Sequence, residues 1–461
     1  MGNVRRTISY MKRNGIKDTV WAVAERKDKS GMDTWQRKVY RYPHPVKRQS
    51  LIGKRQAKPD AFADHEKECI SLLIPAYHTK PEYFKDMIES VLGQTYRNWQ
   101  LVIADASDDD RLQQLAEKYE DERINYQHIS MNEGISDNTN AALEFATGDL
   151  IGLLDHDDVL APEALKEVAK VFADDPACDM AYTDEDKISA DLGRVFEPNM
   201  KPDFNLDLLL TNNYICHFAV MKRNLFEKLK LRHAYDGAQD YDLFLRAVLG
   251  IEWTRLEKQT AAQQEDGSLL PYGYFPADYM KKHIVHVPRI LYHWRTDKGS
   301  TADNPDSKRY AYEAGKRALE DFYAQLDWDV TVSHTKHLGF YATAYQPDIL
   351  SVRSDIWGIC GRNIAHGRVT AGPVLGGVRL FEGMNYHYSG YLHRASLPLD
   401  VDKAANGLIR TRAEYEAAGK NKLRKLRKTG EDHEKQLKSV SEKQRRSGRL
   451  LYLPEFLISG N

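Results

Sequence analysis

The sequence predicts an α/β protein built on a mostly parallel sheet with helices on both faces. Two observations lead there. Apolar runs of strand length alternate with helical segments of apolar periodicity between Cys69 and Asp184, a pattern that parallel sheets with crossover helices produce. Several of those runs also end in an acid or an aromatic, and ligands of such sheets bind beyond the carboxyl ends of the strands.

The elements follow in order. CISLLIPAY (69–77) is a continuous apolar strand, and PEYFKDMIESVLGQ (81–94) is a helix that Pro81 starts. WQLVIAD (99–105) is the next strand, followed by the helix RLQQLAEKYE (111–120) and the strand RINYQHI (123–129). SDNTNAALEFA (136–146) reads as helix, DLIGLLD (149–155) as strand, APEALKEVAKVFA (161–173) as helix and DMAYTD (179–184) as strand. GAQDYDLFLRAVLG opens a helix at Asp240, and the run from His286 gives a strand ending at His293. Glu257 to His283 reads as an inserted loop.

Parallel order would bring Tyr77, Asp105, Asp155 and Asp184 to one edge of the sheet. Carboxylates gathered there repel one another unless a cation joins them, and a hard divalent metal, Mn2+ or Mg2+, suits oxygen ligands and substrate phosphates. No Walker A loop or GxGxxG turn follows any of these strands, which excludes the usual phosphate cradles. In GLLDHDDVLAP (152–162), Asp155 and Asp157 are expected to face inward, with His156 pointing away on an extended backbone and Asp158 either supporting them or capping the next helix.

Bulk properties limit the rest. The 461 residues allow two or three domains, and 42% apolar content is ordinary for a globular chain. The net charge of −1 hides segregation: residues 1–60 hold sixteen Lys and Arg against five acids, and residues 420–449 twelve against four. Basic ends permit peripheral contact with an anionic membrane, and no nucleic-acid module is visible. There is no apolar run of transmembrane length and no signal-peptide core, so a cytoplasmic location is expected, at the inner face of the cell membrane where the basic ends touch it. Four scattered cysteines indicate neither zinc site nor disulfide framework.

The ordered set SLLIPAY, VIADAS, MNEGISDNTN, ATGDLIGLLDHDD, YTDEDK, GAQDYDL and YHWR, over roughly residues 68–325, resembles the family 2 glycosyltransferases of GT-A fold, in particular those that build bacterial surface polysaccharides. The resemblance implies a metal-dependent, inverting transfer of a sugar from a nucleoside diphosphate sugar, UDP- or dTDP-linked, to a hydroxyl of a growing glycan or lipid-linked glycan. Carried over residue by residue, it makes Asp240 the general base. Pro75, Tyr77, Asp105, Asn132, Gly134, Asn140 and Asp155 become donor-nucleotide residues, and Asp157, Asp155 and His293 become metal ligands. Asp184, Glu185, Asp186, Gln239 and Arg295 fall on the acceptor side, with Arg295 and Lys298 available to phosphate charge. Two positions depart from the family pattern: Ala104 stands where a second acid is common, and Gln239 where Glu usually precedes the base. They leave open a non-catalytic glycan- or nucleotide-binding scaffold of the same fold. The expected organisation is a basic, partly helical extension (1–67), the GT-A unit (68–335), a degenerate region like the later half of a second glycosyltransferase domain (336–418), and a basic tail with a short apolar end (419–461).

Overall fold

The computed structural model describes residues 2–28, 46–59, 61, 63, 66–261, 270–297, 309–404 and 448–459. Its main sheet contains β1 (Ile70–Ala76), β2 (Trp99–Asp105), β3 (Ile124–His128), β4 (Leu150–Leu153), β5 (Val159–Leu160), β6 (Met180–Ser189), β7 (Val195–Asn199), β8 (Ala219–Lys222) and β9 (Ile284–Thr296). The order is β3-β2-β1-β4-β8-β6-β9-β5, with β7 beside β6. Strands β3, β2, β1 and β4 pair in parallel, as do β6 and β9, while β8 runs antiparallel between β4 and β6. This is the mixed α/β, mostly parallel architecture expected.

Burial on both faces explains the continuous apolar runs. Every residue of β1 is buried. Successive side chains point to opposite sides, so Leu73, Val102 and Ile151 enter one core while Ile70, Leu72, Ile74, Leu101 and Ile103 enter the other. The helix Pro81–Leu92 begins with proline in its first turn and covers the second core with Phe84, Met87, Ile88 and Val91. Each such side chain, wholly buried, contributes about 1.5–3 kcal/mol.

Several boundaries differ from expectation. Residues 257–261 continue the long helix Gln239–Ala261, and Ala277–His283 is a further helix, so the insertion is in part helical; residues 262–269 lie outside the described residues. Strand β6 runs on to Ser189, which places Asp184, Glu185 and Asp186 inside the sheet rather than at its edge.

Beyond residue 325, β10 (Val330–His334) and β11 (Tyr341–Tyr345) form a hairpin. A second sheet follows, from β12 (Ile356–Ala365), β13 (Arg368–Ala371), β16 (Leu399–Val401) and β17 (Arg449–Ser459), in the order β13-β12-β17-β16; the two-residue strands β14 (Val374–Leu375) and β15 (Val378–Arg379) pair separately. The apolar end expected after a basic tail is therefore an interior strand, parallel to β12 and antiparallel to β16; most of the preceding basic run lies outside the described residues. This sheet meets the segment Asn205–Leu209 through buried charges. Arg353 bridges Asp207 (3.0 Å) and Asp355 (2.7 Å), and Arg449 reaches Asp355 (3.2 Å) and Asp400 (2.5 Å).

The helix Gly2–Lys27, kinked at Gly15, docks on the same C-terminal region. Trp21 stacks on His387 at 4.7 Å, Asp18 meets Lys336 at 2.7 Å, and Glu25 accepts from the Gly390 amide at 2.9 Å. Among the described side chains, two acids and an aromatic make these contacts.

Candidate active site

The parallel register of β1, β2 and β4 brings the expected donor edge together: Ala76 pairs with Asp105, and Leu73 with Leu153 just ahead of Asp155. Pro75 is buried within β1, and Tyr77 emerges beyond it, 47% exposed, with its ring 4.2 Å from that of His78. The buried Asp105 carboxylate accepts from the Ser107 amide (2.9 Å) and hydroxyl (2.6 Å), and Tyr126 donates its hydroxyl to the other oxygen. Three donors hold that acid in one orientation at the strand end.

Asn132 accepts from the Gly134 amide (3.2 Å) and from the Asn138 side chain (3.0 Å). Gly134 has φ 108°, and a Cβ there would stand 2.3 Å from an Asp236 carboxylate oxygen, so the turn into the helix Ile135–Leu143 requires glycine. Asn140 is committed elsewhere. Its amide donates to the Leu231 carbonyl (2.8 Å) and its oxygen accepts from the Leu231 amide (3.0 Å), which makes it a strut between helix and loop.

After β4 the chain turns, with the Asp158 amide donating to the Asp155 carbonyl at 3.3 Å, so the extended backbone expected around His156 is absent. Asp155 and Asp157 keep half-exposed carboxylates, whereas Asp158 is fully buried. Asp158 accepts from the Tyr292 hydroxyl (2.5 Å) and the Arg295 amide (2.7 Å). It is thus neither helix cap nor free acid but the tie between this turn and β9. Burial raises the carboxyls of Asp157 and Asp158, the latter strongly; for Asp157, His156 opposes the rise and Asp155 adds to it, while for Asp158 the charges of Asp157 and Asp155 add.

Asp240 stands in the first turn of Gln239–Ala261. Its carboxylate accepts from the Asn213 amide (2.7 Å) and the Tyr241 main-chain amide (2.8 Å). Burial raises its pKa; His217, Asn213 and Tyr241 pull it back, and the charge of Asp155 adds to the rise. His217 itself lies beside Asp155, its Nε2 3.9 Å from Asp155 Oδ2. Gln239 turns back to accept from the Gly237 amide at 2.8 Å.

The remaining acceptor-side residues are engaged within the sheet. Asp184 accepts from the Lys201 amide (2.7 Å) and pairs with His286 (2.9 Å). Glu185 accepts from Lys201 Nζ (3.2 Å), Asn199 (3.0 Å) and the His217 amide (3.1 Å). Asp186 meets His293 Nδ1 at 2.6 Å across β6 and β9. Arg295 is buried and engaged within the protein: its guanidinium donates to the carbonyls of Asp157 (2.5 Å) and Ala190 (2.6 Å) and to Asp86 (3.0 Å), and it lies over the Tyr83 ring. Lys298 lies outside the described residues.

Among the described residues, two groups offer ligand atoms within 4.8 Å of one another: Asp155, Asp158 and His217 at the turn, and the more exposed His78, Asp108 and Asp109, of which Asp109 already binds Arg111 at 2.7 Å. The first fits a divalent cation. It joins carboxylates and an imidazole, and its burial and mutual repulsion disfavour charge in the way a cation would relieve. TNNYICHF (211–218) resembles a family stretch that packs beneath the acceptor site, and the structure instead sets its Asn213 against Asp240 and its His217 beside Asp155; Lys201 is the residue here that the motifs did not single out.

Residues 71–230 match the family model described as Glycosyl transferase family 2. A protein of Sinorhizobium fredii, "Uncharacterized protein y4gI", is 36% identical over 260 residues, covering 56% of this chain and 25% of that one. The O-antigen biosynthesis protein RfbC of Myxococcus xanthus is 32% identical over 260 residues, 56% of this chain and 18% of its own. The chain thus spans a quarter or less of the length of these relatives. A crystal structure of S. aureus TarS 1–349 in complex with UDP-GlcNAc aligns with 55% of this chain and 66% of that chain, at 17% identity and a TM-score of 0.38.

Proposed function

We propose that this chain, which carries a family 2 glycosyltransferase domain over residues 71–230, transfers a sugar from a nucleoside diphosphate sugar to a hydroxyl of a growing cell-surface glycan, with inversion at the anomeric carbon. The name of the Myxococcus relative supports the glycan class. The observation that carries the reading is Asp240, set in a helix's first turn with its carboxylate held by the Asn213 side chain and the Tyr241 main-chain amide.

Tyr77 and Asp105 hold the donor base at the ends of β1 and β2. Asp155 and Asp157 face the ribose and diphosphate. A divalent cation, Mn2+ or Mg2+, would be held by Asp155 with Asp158 and His217, with Asp157 on the same turn, and would neutralise charge on the departing diphosphate. Asp240 takes the proton of the acceptor hydroxyl as its oxygen bonds to the anomeric carbon and the bond to the diphosphate breaks on the opposite face. The Asn213 amide and the Tyr241 main-chain amide fix the carboxylate for that step. In the same reading the transferase unit spans 68–335. Residues 336–418 are in this reading a remnant like the later half of a second glycosyltransferase domain, whose described part shares a sheet with β17. The basic ends support, in the same reading, peripheral contact with an anionic membrane at its inner face. Among the described residues no helix is long and apolar enough to cross one.

Asp157→Ala and Asp240→Asn are each expected to abolish transfer while circular dichroism stays that of the parent. Full activity in both variants would sink the mechanism. Ala104 and Gln239 keep a binding-only scaffold as the second reading; release of free nucleoside diphosphate from a panel of nucleotide sugars separates the two.

A further inference from the structure

We propose that His217 is the nitrogen ligand of the divalent-cation site, in the place that the YHWR motif would assign to His293. The inference rests on the metal-dependent reading above and names which imidazole completes it.

His217 Nε2 stands 3.9 Å from Asp155 Oδ2. That separation is too long for a hydrogen bond. It suits two ligands of one cation: at metal distances of about 2.1 Å, ligand atoms lie roughly 3 to 4.2 Å apart, depending on the angle between them. Asp158 brings its carboxylate to the same group.

The imidazole is held for this position from several sides. Its ring stacks on Tyr292 with centroids 4.6 Å apart and planes 12° apart, and it meets Trp294 edge-on at 6.3 Å. Its amide donates to Glu185 Oε2 at 3.1 Å, and its carbonyl accepts from the buried Lys201 ammonium. Tyr292, the stacking partner, also donates its hydroxyl to Asp158. One tyrosine therefore positions both the imidazole and an acid of the group, the kind of outer support that orients metal ligands. His293 is placed differently. Its Nδ1 is bonded to Asp186, a carboxylate contact of the kind that also orients ligating imidazoles, so what separates it from His217 is that it belongs to neither ligand group found among the described residues.

The test is Mn2+ binding to the full chain, with affinity read from the free-ion EPR signal and ligand identity from the nitrogen coupling in pulsed EPR of the bound ion. In His217→Gln the affinity is expected to fall about tenfold or more, comparable to or beyond the loss that follows removal of an outer-shell partner, and the imidazole coupling should disappear. His293→Gln should keep both within about threefold of the parent. Coupling that survives in His217→Gln, or that vanishes in His293→Gln alone, overturns the assignment. If His293→Gln fails to fold, parent and His217→Gln suffice, because retained coupling in the latter still refutes it. Asp155→Asn reports on the premise: unchanged Mn2+ affinity there removes the metal reading itself, whereas lost affinity there with unchanged binding in His217→Gln removes only the histidine.

Discussion

Lys201→Met replaces a buried ammonium with an apolar side chain of similar length. Lys201 has a side chain with no exposure, and its Nζ meets Glu185 Oε2 at 3.2 Å, the Ile215 carbonyl at 2.5 Å and the His217 carbonyl. Removing one member of a buried pair leaves the other charge uncompensated, which costs about 3–5 kcal/mol. The methionine keeps most of the stem packing, so the volume change contributes less than about 1.5 kcal/mol. We expect a loss of about 3–5 kcal/mol in urea unfolding, with the slope unchanged. Most of that loss comes from the stranded Glu185, so Glu185→Gln added to Lys201→Met should lower stability by less than the sum of the two single changes, by about 1–2 kcal/mol. Because Lys201 clamps both ends of the 215–217 segment, Mn2+ affinity should fall with the stability. A loss below about 1 kcal/mol with Mn2+ binding intact would refute the idea that Lys201 holds this segment.

Two further outcomes follow from the same physics. Asn213→Ala removes a donor that stabilises the ionised Asp240, whose pKa burial already raises; since the base must be ionised, activity rises with pH, and the acid limb of the kcat/KM profile should move up by about one pH unit, whereas an unshifted limb would rule out this contact as a tuning interaction. The second concerns Asp400, which burial, partly offset by Arg449 and reinforced by Asp207, raises to about 8. The folded carboxyl keeps its proton where the unfolded one has lost it, so its contribution is whole below about pH 4 and declines as pH rises through about 8. Asp400→Asn should flatten the fall in urea midpoint across that window, and an identical fall in parent and variant would show that Asp400 does not titrate there.

The parts of the site carried by regular alternation could be read from the chain alone. Asp105 ends β2 and Asp155 follows β4, behind apolar runs that announce them, and Asp240 opens a helix whose start is rich in apolar residues. Arg295 could not be read this way, because its partners at Asp86, Asp157 and Ala190 come from distant segments, and a basic residue after a strand looks the same whether solvated or spent. Asp158 posed the same difficulty: an acid ahead of a helix suggests a cap, whereas its partners sit on β9. YTDEDK looked like a strand end because three consecutive acids are costly to bury, yet His286, Lys201 and His293, supplied by other segments, make burial tolerable. His217 stood out within TNNYICHF as packing beneath the acceptor site, but its place beside Asp155 depends on β8, four residues long and antiparallel, which the alternation around it does not announce.

The place of β17 has a consequence for synthesis. Strands β12 and β16 leave the ribosome before residues 402–448, yet the strand between them comes after that stretch. At ordinary elongation rates of about 5–20 residues per second, a delay of roughly 2–10 s separates β16 from its partner. During that interval β12 presents an open edge, a template for pairing with other chains, and Asp355 and Asp400 wait for the guanidinium of Arg449. A nascent chain stalled between β16 and β17 therefore has a finished donor edge and an unfinished second sheet, and release of the final strand closes both the hydrogen-bond ladder and the buried charge network in one event.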